Sequence, residues 1–215
     1  MGWRAALNDF RNRLGANPRF RRSAKAFAPT RGKAREEARA LFDLMAGFVY
    51  SQTLLACVET GLFGFLKDGA RPLADIADQT GLPLEGAERL ARAAASLDLL
   101  EPRSGGRFAL GPLGAALVGD EGLAAMIRHH RLLYEDLADP LAVLRGEPGG
   151  ALAGFWGYGR ADRAAGRPDA YSELMAATLP MVAEEIVAAY DLGRHQRLLD
   201  VGGGEGAFLI DAARA

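Results

Sequence analysis

With 215 residues, 49% of them apolar, the chain has material for one large or two small domains with substantial cores. Its single cysteine, Cys57, excludes an internal disulfide and the usual thiolate zinc sites, which fits a reducing, cytoplasmic setting. The formal charge of −1 hides an asymmetry: residues 1–35 carry ten basic side chains against one acid, Asp9, so a strongly basic arm precedes an acidic body.

The arm has helical spacing. Trp3, Leu7, Phe10 and Leu14 form one apolar stripe amid arginines, Pro18 interrupts it, and Phe20, Ala24 and Phe27 resume it until Pro29. It lacks the apolar core of a signal segment. No uninterrupted apolar run in the chain reaches the roughly 18 residues that a membrane span needs.

From about Glu36 to Leu66 the pattern is one long helix and a shorter one, broken at Gly61. Leu41, Phe42, Leu44, Met45, Phe48, Val49, Leu54, Leu55 and Val58 wrap nearly the whole circumference. A helix apolar all round needs cover all round, and a second subunit is the expected cover.

Leu73–Gln79 and Leu84–Leu97 read as two helices about a Gly81-Leu82-Pro83 turn. Leu99–Arg103 and Arg107–Leu110 then read as strands about Ser104-Gly105-Gly106. Helix, turn, helix and two-stranded wing is the winged-helix pattern. Glu121–Leu144 is helical with a break near Pro140. Arg145–Ala170 holds seven glycines and reads as a linker anchored by Phe155 and Trp156. Tyr171–Leu192 is helical around Pro180, and Arg197–Val201 reads as a strand.

That strand runs into Gly202-Gly203-Gly204-Glu205-Gly206, and Ala207 opens a helix. Strand, glycine loop and helix form the first unit of a doubly wound sheet. Glycine permits positive φ and close approach of a ligand to the backbone, and the helix start offers free N–H groups. Gly202, Gly204 and Ala207 satisfy the dinucleotide pattern G-x-G-x-x-G/A, which alone is weak. Asp200, Gly202, Gly204 and Gly206 together satisfy D-x-G-x-G-x-G, a loop for S-adenosylmethionine (SAM). Asp200 and Glu205 favour SAM, because a carboxylate attracts its amino group and repels a pyrophosphate.

The stretch LLDVGGGEG resembles the SAM motif of the dimeric small-molecule O-methyltransferases, the group of phenolic and acetylserotonin enzymes. The segments RALFDLMAGFVYSQTLLACVETGLF, MIRHHRLLYEDLADPLAVLRGE and FWGYG are similar to the bacterial carotenoid O-methyltransferases of the demethylspheroidene or hydroxyneurosporene type. The resemblance implies a mostly α, winged-helix-like dimerisation domain, then the first β-α unit of a truncated Rossmann-type (α/β) methyltransferase domain. The boundaries expected are 1–35 for the arm, 36–145 for dimerisation, 146–192 for linker and connecting helices, and 193–215 for the start of the SAM domain. It further implies a homodimer and methyl transfer from SAM to a small-molecule hydroxyl, the tertiary hydroxyl of a carotenoid.

On the resemblance, the cofactor residues are Asp200, Gly202, Gly203, Gly204, Glu205 and Gly206, with Tyr171 and Met175 from the AYSELMAA segment. The family's general base and ribose-binding acid fall beyond Ala215. The chain therefore reads as the N-terminal part of a longer enzyme, inactive alone.

Phe155, Trp156, His129 and His130 are acceptor-side candidates, each with an ordinary packing or surface role as the alternative. Adjacent histidines on a helix point about 100° apart, so the two do not share one pocket. His195 reads as solvated, and no metal site is expected. Two other functions compete: a non-catalytic dimerisation module, and a winged-helix DNA-binding regulator. Glu85 and Glu88 oppose the second, standing where a recognition helix would meet phosphate, so no nucleic-acid partner is expected. The basic arm reads either as a solvated or partner-packing extension or as a peripheral contact with the inner membrane through residues 1–35.

Overall fold

A computed structural model describes residues 2–147, 150–156, 170–203 and 206–214. The chain divides into two compact units, residues 1–52 and 53–215.

The first unit is helical. α1 (Trp3–Ala16) and α2 (Pro18–Ala26) meet at Asn17, whose side chain accepts from the amides of Arg19 and Phe20 and so caps α2. Pro18 therefore starts a helix as well as ending one, since a first-turn proline loses no helical hydrogen bond. The same holds at Pro29, expected to end the arm. α3 (Ala28–Glu59) begins one residue before it and runs unbroken for 32 residues.

No residue of α1 or α2 is buried. Along α3, Leu41, Phe42, Leu44, Met45, Phe48 and Val49 are all exposed, Leu44 to 81%. This helix is long and apolar enough to cross a membrane by length and composition. Asp43 and polar residues such as Ser51, Gln52 and Thr53 punctuate the stretch, so it contains no uninterrupted apolar run.

The second unit opens with the end of α3, where Leu55, Cys57 and Val58 are buried. Gly61, at φ +65°, turns the chain into α4 (Leu62–Leu66). α5 (Leu73–Thr80) stops at Gly81, at φ +68°, and α6 (Leu84–Ser96) follows. α6 presents Ala87, Ala91 and Ala94, all fully buried, and small side chains at this spacing let neighbours approach closely.

Three strands complete this core: β1 (Arg71–Pro72), β2 (Leu100–Arg103) and β3 (Arg107–Leu110). They form an antiparallel sheet in the order β1-β3-β2, with Leu100 opposite Leu110 and Arg71 opposite Phe108. The hairpin turns through Gly105 and Gly106, both at positive φ, as the sequence predicts. β1 was not foreseen. Two residues ending in proline carry no alternation, and they become a strand only because β3 offers an edge.

Cys57, Leu62, Phe63, Leu66, Ile76, Leu99, Leu100 and Phe108 fill the centre. Each large apolar side chain buried there contributes on the order of 1.5–3 kcal/mol. Burial also pushes the Cys57 thiol up to about 12 from an ordinary 9.0, so it is neutral.

α7 (Pro112–Ala116) leads to α8 (Glu121–Asp136), capped by the Asp120 side chain on the Leu123 amide at 2.8 Å. α9 (Pro140–Leu144) is capped in the same way by Asp139. α10 (Ala151–Trp156) lies within the segment expected to be linker. α11 (Ala170–Ala189) passes through Pro180 without ending. α11 packs on α8, on α10 and on α12 (Ala207–Arg214). Gly122 makes the first contact close: a Cβ there would strike the Ala177 carbonyl. Among the described residues of α11, Leu174 and Ala183 are buried.

The fold is thus mostly helical with one small sheet. The strand expected at Arg197–Val201 is not formed. A strand needs a neighbour to pair with, and none lies beside this segment among the described residues. Leu199 and Val201 are 85% and 87% exposed as a result.

Candidate functional site

The glycine loop is built from Asp200 outward. Gly202 and Gly206 stand at φ +83° and +77°, conformations costly for any residue with a Cβ. The Gly206 amide donates to the Gly203 carbonyl at 2.8 Å, closing a turn that leads into α12. The half-buried Asp200 carboxylate folds back over Gly203, where an added Cβ would collide with it. Among the described residues the loop thus presents the Asp200 carboxylate over Gly203, between glycines 202 and 206 whose Cβ positions face open space.

Such a surface accepts hydrogen bonds from a cationic amino group at Asp200 and admits a flat ligand close to the chain. That acceptor beside open glycine backbone fits SAM. Gly204 and Glu205, the other residues assigned to the loop, lie outside the described residues. Met175 is half-buried on α11, and the Tyr171 side chain lies outside the described set although its backbone is helical.

A groove of about 1020 Å³ lies next to the loop rather than on it, lined by Tyr190, Asp191, His195, Arg197, Leu198 and Leu209 among others. In it the Tyr190 hydroxyl and His195 Nε2 are 2.7 Å apart, with their rings stacked at 5.7 Å. His195, expected to be solvated, is exposed and also has a specific partner. The two are only five residues apart, but a 3₁₀ turn at Leu192–Arg194 brings them face to face, and no sequence period encodes that return.

Of the residues expected on the acceptor side, the two histidines point apart as their spacing predicts. His129 packs on Phe155, ring centroids 4.4 Å apart at 50°. Partial burial holds its imidazole below the usual 6.5, and the neighbouring His130 lowers it further. His130 is exposed and bonds through Nδ1 to the Met126 carbonyl of its own helix at 2.7 Å. The Trp156 side chain lies outside the described residues.

Asp136 escaped the sequence reading. Its carboxylate accepts from the amides of Ala151 and Leu152 at 2.7 and 3.0 Å, tying the start of α10 to the end of α8. The Asp lies fifteen residues before the amides it caps, so no local capping signature reports it. Among the described residues no group of three or more His, Cys, Asp or Glu is placed to hold a metal ion.

Two domains of one known class of protein match successive parts of the chain. The O-methyltransferase dimerisation domain matches residues 42–120, and the O-methyltransferase domain matches residues 134–215. The chain belongs to the O-methyltransferase family that these two domains define.

Within that family it is similar to the demethylspheroidene O-methyltransferase of Rhodobacter capsulatus, 45% identical over 183 residues, 84% of this chain and 46% of that protein. The demethylspheroidene O-methyltransferase of Cereibacter sphaeroides is 41% identical over 206 residues, 94% of this chain and 54% of that protein. The chain spans about half the length of these curated relatives. Among solved structures, CalO1, a methyltransferase of calicheamicin biosynthesis in its SAH-bound form, superposes with a TM-score of 0.59 at 28% identity. That match covers 83% of this chain and 55% of that one.

Proposed function

We propose that the protein serves SAM-dependent methyl transfer to the hydroxyl of a small molecule, the tertiary hydroxyl of a carotenoid. The observation that carries this is the loop itself: Asp200 folded onto Gly203, with Gly202 and Gly206 left-handed at the mouth of a helix. The demethylspheroidene relatives and the SAH-bound neighbour support it.

When bound, SAM supplies an electrophilic methyl group on a sulfonium. The residues of this chain bind and orient. Asp200 would hold the amino group and the backbone of Gly202, Gly203 and Gly206 would border the ligand, with Gly204 and Glu205 the remaining residues of the motif. Tyr171 and Met175 border the cofactor. Phe155, Trp156, His129 and His130 form the acceptor side, where excluding water matters because a tertiary alcohol is a crowded, weakly acidic nucleophile. No residue of this chain is assigned as general base.

Residues 36–145 act as the winged-helix-like dimerisation domain of a homodimer, with 1–35 as an arm, 146–192 as the connection and 193–215 as the opening of the Rossmann-type domain. The setting is the cytoplasm, at the inner membrane face. These 215 residues alone turn over no substrate, because Leu198, Leu199 and Val201 have no strand beside them among the described residues to hold the loop rigid.

The test uses labelled SAM and a hydroxylated acyclic carotenoid. Protein isolated from its own cells should label the carotenoid, and the 215-residue chain alone should not. Label on a phenol but not on the carotenoid would overturn the acceptor. No label on any hydroxyl acceptor would overturn the activity, and turnover by the short chain would overturn its dependence on further strands.

A further inference from the structure

The first unit carries charge and apolar surface that no packing among the described residues uses. At 100° per residue, Trp3, Leu7, Phe10 and Leu14 fall within about 60° of one another around α1. Trp3, Leu7 and Phe10 are 73%, 56% and 59% exposed. Arg11 and Arg4 stand about 70–90° to one side of this stripe and Arg13 about 90° to the other, while Asp9 lies toward the back. The result is an apolar wedge with a cation on each shoulder. The Arg4 guanidinium leans over the Trp3 ring at 5.5 Å.

A second feature lies between α2 and the first turns of α3. A groove of about 480 Å³ is lined by Lys25, Arg31, Ala34, Arg35 and Ala38. Three cations line it, no acid does, and two alanines keep it open. Arg31 is held in place by a bond from Nη2 to the Ala26 carbonyl at 3.1 Å. This arrangement offers several donors to one phosphate group.

We propose that residues 3–35 dock the protein on an anionic phospholipid bilayer, with the α1 stripe at the acyl boundary and a lipid phosphate in the Lys25, Arg31 and Arg35 groove. Each alternative occupant leaves one feature unused or opposed. Nucleic acid would engage the cations and leave the Trp3 stripe in water. A second copy would bring two arms of ten cations together across an apolar contact, and like charges repel. A bilayer with anionic headgroups satisfies both the stripe and the cations. This inference goes beyond the methyl-transfer reading, and its test involves no methyl transfer, so the two fail separately.

The full chain is floated with vesicles of phosphatidylcholine alone and of phosphatidylcholine with an equal amount of phosphatidylglycerol. It should partition into the anionic vesicles and be released by added salt. The triple variant K25Q/R31Q/R35Q should lose on the order of a hundredfold in partition, from about 1 kcal/mol per interfacial charge. The triple variant W3S/L7S/F10S should also lose partition, at unchanged helix content and unchanged mass in solution. Equal binding to neutral vesicles would overturn the proposal, as would retention of full binding by either variant. If W3S/L7S/F10S instead lowers the mass in solution, the stripe belongs to a protein interface and the proposal fails. It also fails if a short DNA duplex binds the wild type and W3S/L7S/F10S equally while anionic vesicles bind neither.

Discussion

Gly114 has no room for a methyl group. A Cβ at this position would collide with the Leu99 carbonyl oxygen and stand 3.2 Å from Cε1 of Phe63, itself buried. The obstruction is backbone, which cannot rotate aside as a flexible side chain does. Gly114→Ala should therefore cost about 2–4 kcal/mol, read as a lower denaturant midpoint at unchanged slope. His129 gives the pH dependence. Its folded value lies below 6.5, chiefly because partial burial disfavours the charged ring and secondarily because of His130. In the window below 6.5 the unfolded chain binds the extra proton first, so this stabilisation is present above 6.5 and lost as the pH falls. An NMR titration of the imidazole should place His129 below 6.5. His130→Ala should return only the smaller part of the shift, because burial is the larger cause. Full return to 6.5 in that variant would refute the ranking.

α10 shows what one carboxylate does for a short element. Six residues are too few to hold a helix by propensity. Asp136 supplies what is missing by satisfying two of its first amides with charge-assisted bonds. Asp136→Ala should speed hydrogen exchange at Ala151 and Leu152 and cost about 0.5–2 kcal/mol. Asp136→Asn, which keeps an acceptor, should lose less. If α10 exchanges no faster in the alanine variant, its order comes from Phe155 on His129 instead. The same element marks the limit of sequence reading. α5, α6, β2 and β3 were legible because periodicity, a Gly81 stop and a Gly105-Gly106 turn are local signals. α10 and β1 depend on partners far along the chain. The loop at Asp200 was legible as a pattern of residues, and the fold-back of its carboxylate onto Gly203 adds a geometry that pattern does not contain. The strand before it is expected from an apolar run leading into a glycine loop and helix, and without a neighbour that run makes no strand.

The apolar girth of α3 is a statement about the whole molecule. A helix apolar all round calls for cover, and among the described residues that cover exists only at its C-terminal end, where Leu55, Cys57 and Val58 enter the core. That buried end opposes a membrane span, since a spanning helix would have to withdraw these side chains from a packed interior. Leu41, Leu44, Met45 and Phe48 recur at helical spacing on the exposed stretch and are 67%, 81%, 66% and 64% exposed. The O-methyltransferase dimerisation domain begins at residue 42, near the start of this surface, and so includes most of it. A second copy of the chain is the cover that both observations favour. Leu44→Asp with Phe48→Asp places two charges in that contact, where a desolvated and unpaired carboxylate costs several kcal/mol. Sedimentation should show a dimer for the wild type and a monomer for this variant, with the secondary structure of both unchanged. A variant that remains dimeric would move the subunit contact off this face of α3, and the exposed apolar stretch would then need a different partner.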